Sequence, residues 1–184
     1  MENELPIKLL IIGGENSGKT KFIKYYINED IYLNAYHPSM AAQFYTKIIY
    51  FHKQKVRFEI WDTVGKESHD FLIRVFAENS GLIFIFYDSS DKASFERAKV
   101  LFNKIKEFCD VNKAIFVLIS NKYDLYINSK NNFEKVSKEE ALEFATDNNI
   151  LFAHISIAEK YGNGINELFD KALIEYFRRK KMKV

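Results

Sequence analysis

The stretch Gly13-Gly14-Glu15-Asn16-Ser17-Gly18-Lys19-Thr20 constrains this chain more than any other. It fits G-x-x-x-x-G-K-[ST], follows an apolar run at residues 9–12 and leads into Lys21-Phe22-Ile23-Lys24-Tyr25-Tyr26, which read as the first turns of a helix. A strand feeding a Gly-rich loop that opens a helix is the context this motif needs. Gly13 and Gly18 let the backbone close on a phosphate without Cβ clashes. Glu15, Asn16 and Ser17 form the turn of the loop between them. The N–H groups at the helix start point at the anion, and the helix dipole favours negative charge there. Lys19 is placed to reach the β- and γ-phosphates, and the Thr20 hydroxyl to ligate Mg²⁺. Chance gives the pattern to on the order of one chain of this length in a hundred or two.

Composition narrows the class further. A chain of 184 residues with 47% hydrophobic side chains suits one globular domain over 1–184. A net charge of +2 is too balanced to make nucleic acid the main partner. The single cysteine, Cys109, excludes an internal disulfide framework and fits a reducing compartment. No apolar run reaches the roughly 18 residues of a spanning helix. The acidic Met1-Glu2-Asn3-Glu4 has no signal-peptide pattern and no Gly at position 2 for myristoylation. A soluble, cytoplasmic protein is the expectation.

The rest of the chain alternates strands and helices, as a parallel α/β sheet does. Strands are expected at residues 8–12, 44–51, 56–61, 81–88, 114–120 and 150–155. The second and third form a hairpin around His52-Lys53-Gln54-Lys55. Helices are expected at 18–27, 67–78 (a poorly patterned one), 92–108, from the capping box Ser137-Lys138-Glu139-Glu140 to about 147, and at 166–180. The sum is about six strands and five helices, with one antiparallel edge strand. Residues 28–43 form a long irregular loop with Pro38, and long ordered loops are often functional. Ligands of such sheets bind at the carboxyl ends of the strands.

Two more motifs fall at those ends. In Trp61-Asp62-Thr63-Val64-Gly65, Asp62 is suited to hold Mg²⁺ through water, and the Gly65 N–H to approach the γ-phosphate. Asn121-Lys122-Tyr123-Asp124 reads a base. The Asp124 carboxylate can accept both the ring N1–H and the exocyclic amine of guanine, whereas adenine would leave it unpaired. The Lys122 stem can cover one face of the ring, and Asn121 can tie this loop to the phosphate loop.

With these three motifs in this order, the chain resembles a small GTPase of the Ras superfamily, Rab branch, over about residues 8–177. Phe58-Glu59-Ile60-Trp61-Asp62-Thr63 and Asp88-Ser89-Ser90-Asp91-Lys92-Ala93-Ser94-Phe95 are similar to Rab segments, with no gap needed between Trp61 and Asp88. The resemblance implies a P-loop fold that binds GTP or GDP with Mg²⁺, acts as a monomeric switch in vesicle trafficking, and meets effector, exchange-factor and activating proteins. It also implies several less obvious sites. Ser39 falls where the family has the switch Thr that ligates Mg²⁺. Tyr32, or Ile31 given one extra residue in the loop, falls where an aromatic packs on the base. Ser156 and Ile157 stand in the last base loop, with Ala158 in place of a Lys. Phe44, Trp61 and Phe76 occupy the aromatic triad that effectors read.

Three departures stand out. Lys66 replaces the hydrolytic Gln; an amide can both donate to and accept from an attacking water, whereas an ammonium only donates. Glu15 puts a carboxylate in the phosphate loop, where it can crowd an arginine finger or pair with Lys66. The basic tail over 178–184 has no cysteine, so either the sequence lacks a terminal segment or the protein is not prenylated. That tail could contact anionic membranes, at about 1 kcal/mol per charge near the surface, or simply be a solvated helix end. The expectation is a Rab-like switch with slow hydrolysis; the alternative is a pseudo-GTPase that holds nucleotide without cycling.

Overall fold

A computed structural model describes residues 4–27, 42–107, 109, 113–128, 135–157 and 164–182, apart from the side chains of 67–69 and 128. Strands β1 (Leu5–Gly13), β2 (Ala42–Phe51), β3 (Gln54–Thr63), β4 (Leu82–Asp88), β5 (Ile115–Asn121) and β6 (Leu151–His154) form one sheet in the order β2-β3-β1-β4-β5-β6. Only β2 runs antiparallel to its neighbour. The central strands have apolar side chains toward both faces, as strands covered on both sides must. Residues 82–87 of β4 and all of β5 are buried.

The period-two alternation divides those side chains between two cores. On one face Ile7, Leu9 and Ile11 of β1 pack with Phe84 and Phe86 of β4 under helices α1 (Lys19–Ile27) and α6 (Ile165–Lys180). Phe169 is the hub there. Its ring lies 3.9 Å from Tyr26, 5.3 Å from Phe58 and 5.5 Å from Phe84, centroid to centroid. On the other face Leu10 and Ile12 pack with Ile83, Ile85, Phe95 and Phe102 under α3 (Lys92–Lys106) and α5 (Lys138–Asp147). Each fully buried large apolar side chain contributes about 1.5–3 kcal/mol. Side chains fix where the helices of this second layer begin. Asp91 accepts from the Ala93 N–H at 2.9 Å to start α3, and Ser137 accepts from the Glu140 N–H at 3.0 Å to start α5.

The described residues differ from the expected pattern in four main places. They contain six α-helices rather than five, because α4 (Tyr123–Asn128) starts within the base-reading motif. Six residues are too few to show a helical period in sequence. The region 67–78 is a 3₁₀ helix (Glu67–Leu72) followed by the short α2 (Ile73–Ala77), with Phe71 and Val75 on the outside. The hairpin is tighter than expected: Phe51 pairs with Gln54, and His52 takes a left-handed conformation at φ 51°. In addition, β1 begins at Leu5, pairing there with Val56.

Parallel order brings the ends of five strands to one edge. Gly13 lies beside Phe86, Ile11 beside Asp62, Asp88 beside Asn121, and Ser120 beside His154. The phosphate-loop, Asp62 and base-reading motifs all hang from that edge.

Candidate functional site

The loop after β1 is built around contacts that exclude side chains. Gly18 has φ 94°, and a Cβ there would lie 2.2 Å from the Asn121 amide nitrogen. The close neighbour that demands glycine is thus the base-motif asparagine. Gly13 is equally confined, since a Cβ would meet the Phe86 carbonyl at 2.4 Å. Asn16 turns the loop with φ 59°. Glu15 is exposed, while Ser17 is buried and its hydroxyl donates to the Gly14 carbonyl at 2.8 Å.

Lys19 folds back over this loop. Its ammonium donates to the carbonyls of Gly13 at 2.9 Å and Gly14 at 2.7 Å. Burial pulls its pKa down to about 8, although the Asp62 and Glu15 carboxylates act to raise it. A buried ammonium held only by neutral acceptors is short of negative charge, and a phosphate would supply it. The chemistry of the loop therefore fits a phosphate group.

The residues assigned to metal partly converge. The Thr20 hydroxyl donates to Asp62 Oδ2 at 2.6 Å, so the first turn of α1 and the end of β3 meet. Asp62 is buried and its other oxygen, Oδ1, has no hydrogen-bond partner among the described residues. Burial pushes the Asp62 carboxyl up, against the Thr20 hydrogen bond and the Lys19 charge. A hydroxyl and an unsatisfied carboxylate oxygen are suitable donors for Mg²⁺, a hard cation that prefers oxygen. Ser39, the other expected ligand, and Tyr32, Ile31 and Ala158 lie outside the described residues.

The base-reading loop is joined to the phosphate loop directly. Asn121 is buried, and its Nδ2 donates to the Ser17 carbonyl at 2.9 Å. Its Oδ1 is buried without a partner among the described residues. Asp124 Oδ1 accepts from the Ser156 hydroxyl at 2.9 Å, which ties the loop after β6 to the base-reading carboxylate. Ile157 follows, buried on the α1–α6 core. Lys122 takes φ 62° and its ammonium pairs with Asp88 Oδ2 at 2.8 Å. From sequence Asp88 opened a Rab-like segment and was given no role at the site. The only hint was its place at the end of a buried strand, where a carboxylate needs a partner.

The segment after β3 is pressed onto the phosphate loop. A Cβ on Gly65 would come within 2.6 Å of the Glu15 nitrogen and the Gly14 carbonyl carbon. Lys66 is exposed, and among the described residues no ion pair joins it to Glu15. The pairing considered from sequence was one over a bound γ-phosphate; both groups are exposed. Instead Asp70 carries the charge contact of this segment. It binds the Arg97 guanidinium, with one nitrogen at 2.9 Å, and the Lys104 ammonium, both from α3. Arg97 also borders the loop, because a Cβ on Gly14 would lie 3.3 Å from its Cγ. Finally, Phe44, Trp61 and Phe76 meet in one half-buried cluster, with ring centroids 5.1 Å and 5.5 Å apart in sequence order.

Residues 8–178 match the model of the Ras family. The chain belongs to the Ras family. It is 26% identical over 172 residues to Ras-related protein Rab-17 of Mus musculus, covering 94% of this chain and 76% of that one. It is 26% identical over 177 residues to GTP-binding protein ypt3 of Schizosaccharomyces pombe, covering 96% and 78%. With Ras-related protein RABF2a of Arabidopsis thaliana it shares 28% identity over 162 residues, 88% of this chain and 76% of that one. This Ras-family chain is accordingly a Rab-like small GTPase with a P-loop.

Proposed function

We propose that the chain is a single-domain guanine-nucleotide switch that works with Mg²⁺ in membrane trafficking and hydrolyses GTP slowly. The observation that carries this reading is the Asn121–Ser17 hydrogen bond at 2.9 Å, which locks the base-reading loop against the phosphate loop. One ligand with a base at one end and phosphates at the other satisfies both. Asp124, oriented by Ser156, supplies the carboxylate that guanine alone can saturate with two donors. Lys19 and the N–H groups at the start of α1 hold the phosphates. Lys122 flanks the base, and Ile157 offers a backbone N–H to it, as do Tyr32 and Ser39 their side chains to base and metal.

Thr20, Ser39 and, by way of water, Asp62 would hold Mg²⁺, which would supply charge neutralisation on the phosphates. Gly65 brings a backbone N–H toward the γ-phosphate, and Lys66 stands where a residue must orient the attacking water. Its ammonium cannot accept a proton from that water, which supports slow turnover. Phe44, Trp61 and Phe76 form the surface that an effector reads, with exchange factors and activating proteins as further partners. The trafficking role rests on the Rab names of the relatives. Among the described residues no helix is long and apolar enough to cross a membrane. Peripheral attachment from the cytoplasmic side, by a monomer, fits that reading. The test is to denature freshly purified protein and chromatograph the released ligand. GDP or GTP supports the proposal; an adenine nucleotide as the main product contradicts it.

A further inference from the structure

At the opposite edge of the sheet from the nucleotide site lies a cavity of about 530 Å³. That is within the range of small-molecule pockets, about 300–1,000 Å³. It is framed by the start of β1, the turn from α2 to β4, the approach to β5, and α6. Among the described residues, three lysines from β1, the turn before β5 and α6 line it, Lys8, Lys113 and Lys180, against one acidic residue, Glu78.

One of these cations, Lys8, is short of negative charge; Lys180 is exposed and free to turn toward a ligand. Lys8 is half-buried, and among the described residues its ammonium makes one hydrogen bond, to the Glu78 carbonyl at 2.8 Å. The neighbouring carboxylates, Glu78 and Glu59, act on it only from beyond ion-pair distance, and burial lowers its pKa. Lys180 has no ion pair among the described residues and lies 5.9 Å from the Tyr176 ring centroid. Capping the end of α2 accounts for one of the three Lys8 donors and for none of those on Lys180. The last turn of α6 adds Arg178 and Arg179, both already tied to Glu175.

We propose that this cavity binds a small polyanion carrying two or more phosphate groups, either free or as the headgroup of a lipid. Phosphate oxygens would give half-buried Lys8 a charge-assisted partner, with Lys180 at the rim as a second cation. The site is separate from the nucleotide loops and does not depend on the reading of them.

The probes are inositol trisphosphate, and phosphatidylcholine vesicles with or without phosphatidylinositol bisphosphate, added to protein saturated with Mg²⁺ and GDP. Trp61 is the sole tryptophan, and its ring centroid lies 5.6 Å from the Lys8 ammonium, so its emission reports occupancy. The expected result is saturable one-to-one binding that excess GDP does not displace. Lys8→Gln with Lys180→Gln should weaken it by about tenfold or more, and Lys8→Arg should preserve it. Lys180→Gln alone, on the exposed face of α6, should weaken it without touching the fold. Binding of the soluble probe assigns a free ligand; binding of the vesicles alone, still lost in the double variant, assigns a headgroup. Absence of binding to both probes overturns the proposal. So does binding that GDP displaces, or binding that the double variant leaves unchanged.

Discussion

Lys66 and Lys19 bear the same charge and meet opposite environments. Lys66 is exposed, and among the described residues it forms no ion pair with Glu15. Replacing Lys66 with Gln restores a group that both donates and accepts, and the single-turnover GTP hydrolysis rate should rise. Glu15→Gly removes a carboxylate beside the same phosphate, so the double variant should be faster still, and any departure from additivity measures their coupling. Slower hydrolysis in Lys66→Gln or Lys66→Ala would make Lys66 a catalytic cation instead. Lys19 is buried, and burial lowers its pKa from 10.5 to about 8 in the empty protein. Between those values the unfolded chain holds the proton more firmly than the fold does. The Lys19 contribution therefore makes the empty protein more stable as pH rises from about 8 toward 10.5. Thermal melting across that window should show the rise in the wild type and a flatter profile in Lys19→Met. With nucleotide bound, the phosphates hold the ammonium charged and the wild-type rise should shrink.

At the level of elements, the segment from Gly65 to Ala77 is built from two short pieces. A 3₁₀ helix and a five-residue α-helix have little internal stability, so docking must come from outside. Asp70 supplies it: burial raises its pKa, but Arg97 and Lys104 outweigh that and hold it below the usual carboxylate range. Asp70→Asn should cost about 1–2 kcal/mol, between an exposed and a buried ion pair. It should also loosen Phe76 from Trp61, seen as a red shift of the single tryptophan. Unchanged melting and emission would mean that the apolar contacts of Ile73 and Ala77 suffice. None of this docking was legible in the sequence, because Asp70 meets residues 27 and 34 positions away. The apolar runs of β4 and β5 and the Ser137 capping box were legible, since burial and capping leave local patterns. Helix α4 left none, being shorter than two turns.

For the whole molecule, the parallel sheet turns motifs far apart in sequence into one edge. The site was largely legible because each motif sits at a strand end: Asn121 meets Ser17 across 104 residues and Thr20 meets Asp62 across 42. What the sequence did not show were the supports, Asp88 under Lys122 and the Ser156 hydroxyl on Asp124, since a hydrogen-bond partner has no signature of its own. Metal and nucleotide should be linked across this edge. Chelating Mg²⁺ should speed GDP release, and an off-rate indifferent to chelator would remove Thr20 and Asp62 from the metal site. The central claim is that this edge selects guanine, and competition against a bound fluorescent GDP analogue tests it most directly. GTP should displace the analogue and ATP should not, and Asp124→Asn should shift preference toward xanthine nucleotides, whose 2-carbonyl accepts from the new amide. ATP competing as well as GTP, or an Asp124→Asn protein with unchanged preference, would contradict it.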